Sequence, residues 1–115
     1  MPSTAKPPQI DAAKAAEMAE QPGTRLVDVR GNDEWHAGHA PAAEHCPLDT
    51  LDPSTFQGND AIVVVVCRSG NRSQKAAEML HGAGVTVYNL DGGMAAWESH
   101  GLTIIRNDGT PGTVA

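Results

Sequence analysis

The strongest strand signal in the chain is Ala61-Ile62-Val63-Val64-Val65-Val66, apolar without interruption and largely β-branched. Such a run suits a strand buried on both faces, so it predicts the centre of a parallel sheet. Leu26-Val27-Asp28-Val29 and residues 85–90 read as further strands. Between them the apolar spacing turns helical. Ala12, Ala15, Ala16 and Ala19 share one face of a helix that Asp11 caps, that runs to about residue 20, and that Pro22-Gly23 ends. Asn32 is placed to cap a short helix carrying Glu34 and Trp35, closed by Gly38 before the chain turns at Pro41. Residues 73–80 form a helix with Ala76, Ala77 and Leu80 inward, stopped near Gly82 and Gly84. Asp91-Gly92-Gly93 turns into a last helix over 94–99, with Trp97 toward the core. Strands alternating with helices predict an α/β fold, a small central parallel sheet with helices on both faces. No internal repeat is visible.

A length of 115 residues gives one domain, which at this size buries roughly two thirds of its unfolded surface. Residues 1–9 and 106–115, with Pro, Gly and small polar residues, read as a flexible N-terminal arm and a flexible C-terminal tail around a domain over 10–105. The formal charge of −6 disfavours nucleic acid and anionic membrane as partners. No apolar run approaches the roughly 18 residues of a membrane span, and the first residues lack an apolar signal core. The expected location is therefore cytoplasmic. Cys46 and Cys67 are the two cysteines and share no context, so a disulfide framework is not expected. His36 and His39 lack the cysteine partners of a zinc site.

Sites in open α/β sheets form beyond the carboxyl ends of the strands. Here the central strand runs into Cys67-Arg68-Ser69-Gly70-Asn71-Arg72-Ser73 and then a helix. A short loop folding back onto a helix start aims backbone N–H groups at one point and makes an anion nest. Sulfur at that point would be a thiolate. The helix terminus, Arg68 and Arg72 are all expected to lower the Cys67 pKa, and Gly70 to let the backbone turn beneath the sulfur. Cys46 precedes Pro47 where a short apolar strand ends, which favours a packing role over a resolving thiol.

These residues resemble the rhodanese family of sulfurtransferases. Leu26-Val27-Asp28-Val29-Arg30, then Glu34-Trp35 and Gly38-His39-Ala40-Pro41, resemble its first signature. The segment from Val64 to Ser73 resembles its active-site loop, and Leu90-Asp91-Gly92-Gly93 with Trp97 and Gly101 its closing motif. The resemblance spans about residues 10–104, with one departure: Ala42 stands where the family usually has Gly. It implies a single-domain rhodanese, a thiosulfate or persulfide sulfurtransferase working through a Cys67 persulfide. Backbone N–H groups of Arg68, Ser69, Gly70, Asn71, Arg72 and Ser73 would hold the persulfide, and the Arg68 and Arg72 side chains the donor's anionic end. Asp28 and Arg30 would brace neighbouring loops, and His39 would bond within its turn. His36 and His45 read as ordinary, partly exposed residues. The implied partners are a small anionic sulfur donor and a thiol acceptor, and a protein could fill either role. No metal or organic cofactor is needed.

Two rival readings share this fold. Related phosphatases and arsenate reductases use five residues between Cys and Arg, whereas four separate Cys67 from Arg72 here, enclosing a space suited to one sulfur atom. Non-enzymatic carrier or regulatory modules of the family commonly lose the cysteine, which this chain keeps.

Overall fold

Alternating parity along the central strand decides which side chains meet which helices. The computed structural model describes residues 6–58 and 60–115. Its five strands are β1 (Gln9–Ile10), β2 (Thr24–Asp28), β3 (Ala43–His45), β4 (Ile62–Val66) and β5 (Val87–Leu90). They form one sheet in the order β1-β5-β4-β2-β3, every pairing parallel. Val63, Val65 and Cys67 point to one face, where Ala76, Ala77 and Leu80 of helix α3 (Asn71–Gly82) cover them. Val64 and Val66 point to the other, against Ala12 and Ala15 of α1 (Ala12–Ala19) and Met94 and Trp97 of α4 (Gly93–Ser99). Val63 to Val66 are each 0% exposed, so the uninterrupted apolar run is a strand covered on both sides. The remaining helix, α2 (Asn32–Ala37), follows the carboxyl end of β2. Two short 3-10 turns, Leu48–Thr50 and Pro53–Phe56, lead from β3 to β4.

Asp11 caps α1 by accepting from the Lys14 N–H at 2.8 Å. Asn32, expected as a cap, is instead the first residue of α2, and Gly31 holds the cap position. The Gly31 N–H donates to the Glu34 carboxylate at 3.2 Å, the N3 half of a capping box, while glycine has no side chain to make the other half. Ala42 turns the chain without a glycine, since no non-glycine residue has positive φ among those described.

Both chain ends depart from the sequence expectation. Residues 1–5 of the expected arm lie outside the described residues. Pro8 accepts from the Asn89 N–H at 2.9 Å, and Gln9–Ile10 is an edge strand on β5. The expected loose tail is tied down as well. Ile105 bridges His39 on one side and Pro111 on the other, and the Thr113 N–H donates to Ala37 at 2.9 Å. A Cβ on Gly38 would lie 2.5 Å from the Thr113 oxygen, so only glycine permits the approach. Glycine and proline, which suggest looseness in composition, here shape a hairpin whose backbone polar groups find partners. Among the described residues, no helix is long and apolar enough to cross a membrane.

Candidate active site

Cys67 directly follows β4 and Gly70 caps α3, so the loop between them must reverse within two residues. Gly70 does this at φ +108°, a left-handed conformation that side chains disfavour. The reversal points the Gly70 N–H at Cys67 Sγ, 3.1 Å away. Ser73, in the first turn of α3 and 0% exposed, donates its hydroxyl to the same sulfur at 3.3 Å. Cys67 is only 1% exposed, so a donor has to come to the loop.

Burial alone would push the Cys67 thiol up. It is outweighed by the Ser73 hydroxyl and the N–H groups of Ser73, Gly70 and Ser69, which hold the pKa below the ordinary thiol range. The causes that lower it are thus hydrogen bonds, among them the backbone N–H nest expected from the sequence, while neither of the two arginines expected beside it is among them. Those guanidiniums have other partners. Arg72 forms a fork with Glu34 of α2, its two terminal nitrogens donating at 2.6 and 2.7 Å. Arg68 donates from Nε to the Ala115 oxygen at 2.9 Å. Asn71 opens α3 beside them.

Helix α4 holds the loop from behind. Its Met94 and Ala95 N–H groups donate to the Cys67 and Arg68 carbonyls at 2.7 and 3.0 Å, so the opposite edges of those peptides are free to face the sulfur's side. Gly93 makes the approach possible. It has φ +57°, and a Cβ there would overlap the Cys67 oxygen and lie 2.6 Å from the Arg68 carbonyl. Sequence reading had Gly93 as a turn residue and part of the closing motif, without its contact to the loop, and the pairing of Glu34 with Arg72 was not foreseen; a separation of 38 residues leaves no local signal.

The supporting residues lie one layer below. Asp28 and Arg30, both 0% exposed, form a buried ion pair with contacts from 2.8 to 3.0 Å. Arg30 also donates to the Gly38 carbonyl at 2.7 Å and so ties β2 to the end of α2. His39 donates from Nδ1 to the Trp35 carbonyl at 2.9 Å within its turn. His45, read as an ordinary, partly exposed residue, is half-buried, and it donates to the Arg30 carbonyl at 2.7 Å and stacks on Trp35 with ring centres 4.7 Å apart. Cys46 packs half-buried beside the core with Leu48, and burial pushes its thiol up.

Comparison with known proteins agrees with this arrangement. The sequence profile of the Rhodanese-like domain matches residues 11–100. An uncharacterized protein of Synechocystis sp. is 35% identical over 97 residues, which cover 83% of this chain and 54% of that protein. The chain therefore spans about half the length of this curated relative. A rhodanese-related protein from Thermoplasma volcanium superposes with a TM-score of 0.77 at 26% identity, covering 85% of this chain and 97% of that one. A thiosulfate sulfurtransferase from Pseudomonas aeruginosa gives 0.76 at 26% identity, covering 96% of this chain and 21% of that one. With its parallel sheet, its cysteine loop and these matches in accord, the chain belongs to the rhodanese-like domain family, a family of sulfurtransferase type.

Proposed function

We propose that the chain is a sulfurtransferase carrying sulfur as a Cys67 persulfide, with thiosulfate or a persulfide as donor and a thiol, or cyanide in an assay, as acceptor. The observation that carries this reading is the sulfur of Cys67 receiving the Gly70 N–H and the Ser73 hydroxyl at 3.1 and 3.3 Å. Donors fixed around a sulfur stabilise a thiolate before transfer and leave N–H groups for a persulfide after it. The thiolate attacks the outer sulfur of thiosulfate, the new S–S bond forms, and the old one breaks with its electron pair leaving on sulfite. An acceptor nucleophile then takes the terminal sulfur and returns Cys67 to the thiolate. Arg72 would hold the donor's anionic end, in competition with Glu34.

The test is mass spectrometry after incubation with thiosulfate, looking for one added sulfur that cyanide removes. Cys67→Ser should show no addition and no thiocyanate, because an alkoxide is far harder to form than a thiolate. Cys46→Ser should still gain sulfur. A persulfide mapped to Cys46, or full turnover without Cys67, would overturn the reading.

A further inference from the structure

Arg72 is the cation of the loop that faces α2, and both of its terminal nitrogens are already taken by one carboxylate. Glu34 is itself anchored by the Gly31 N–H at 3.2 Å, so the fork is built into the start of α2. The Arg72 hydrogen bond leads the causes that hold the Glu34 carboxyl below its usual range, which keeps the pair as two opposite charges. A second carboxylate lies nearby. Arg72 lines a groove of about 360 Å³ together with Val29, Gly31, Pro47, Leu48 and Asp49. Val29 and Leu48 also belong to, or pack against, the core cluster that contains Cys67, and Arg72 itself stands in the first turn of α3, where the reactive loop ends. Its lining carries two charged groups, the Arg72 guanidinium, which Glu34 pairs, and the exposed Asp49 carboxylate.

An anion reaching Arg72 therefore meets a cation already paired with one carboxylate. A dianion is repelled more than a monoanion of the same shape, and each extra donor charge adds to the difference. From this balance we infer that Glu34 is a specificity-determining positioning residue, biasing the site toward sulfur donors of single negative charge over dianionic thiosulfate. The inference rests on the sulfurtransferase reading.

Methanethiosulfonate is a suitable partner for the comparison. It has the shape of thiosulfate with one oxygen anion replaced by a methyl group. The Cys67 thiolate attacks its outer sulfur, the S–S bond to the sulfonyl group breaks, and methanesulfinate leaves with the electron pair. The same Cys67 persulfide results, so cyanide yields thiocyanate from either donor.

The experiment measures kcat and KM for both donors in the wild-type protein, Glu34→Gln, Glu34→Ala and the exposed neighbour Asp33→Asn. Removing the Glu34 charge should raise the thiosulfate to methanethiosulfonate ratio of kcat/KM by about tenfold, mostly through a lower KM for thiosulfate. Asp33→Asn should move the ratio less than twofold, because that side chain is exposed on α2. Turnover with an unmoved ratio in both Glu34 variants would overturn the inference alone. No thiocyanate from either donor in the wild-type protein would overturn the sulfurtransferase reading and this inference with it.

Discussion

Ser73 is the residue whose loss is easiest to read, because substitution removes its hydroxyl from the sulfur and leaves its backbone N–H in place. In the folded protein the Cys67 pKa is depressed, so thiolate chemistry persists as pH falls until that lowered value is reached. Stability has the same sign: the contribution is full above the unfolded thiol value and is lost as pH falls through the folded one. Ser73→Ala should move the midpoint of Cys67 alkylation to higher pH and slow sulfur uptake at neutral pH. Alkylation followed across pH checks this; an unmoved midpoint would assign the thiolate to backbone donors alone. Asp28 is a different case. Replacing it by Asn leaves the Arg30 guanidinium buried at 0% exposure without its counter-charge, a loss of about 3–5 kcal/mol by denaturant titration. A change below ~1 kcal/mol would mean that water reaches the pair.

At the scale of elements, the loop is held between two helix starts. The first turn of α3 faces the sulfur, and the first N–H groups of α4 hold the loop's carbonyls. Gly93→Ala would set a methyl group against the Cys67 and Arg68 carbonyls at a left-handed φ. It should cost about 3 kcal/mol and lower sulfur uptake even where the fold survives, because α4 must retreat from the loop. Calorimetry and persulfide yield check the two parts separately, and a fully active, fully stable variant would show that α4 does not hold the loop. The parallel sheet, its central strand and the reactive loop were legible because each is a local pattern: β-branched residues without alternation, then Cys, Gly and a helix start. The fork between Glu34 and Arg72 was not, since each residue alone reads as a solvated helix charge.

For the whole molecule, the sequence was least informative at its ends. Pro and Gly lower helix and strand propensity, and composition carries no record of the partners a backbone finds across the fold. Residues 104–113 nevertheless lie along His39, Gly38 and Ala37. Gly38→Ala would force the Thr113 backbone away. Amide hydrogen exchange at Gly112 and Thr113 should then accelerate by at least tenfold while β4 stays protected. Unchanged exchange would mean that α2 yields instead of the C-terminal segment.

The bond between Arg68 and Ala115 makes the far end of the chain a neighbour of its reactive loop. A thiol peptide fused after Ala115 through a short flexible linker would be tethered next to Arg68 of the loop, at an effective concentration on the order of millimolar. Sulfur should then pass to the fused thiol ahead of the same peptide supplied free at micromolar concentration, as mass spectrometry of the two products would record. Equal labelling of both would mean that the end of the chain leaves the loop in solution. The same geometry gives a simple handle on the site, since acceptors can be exchanged as cassettes without altering any residue of the loop.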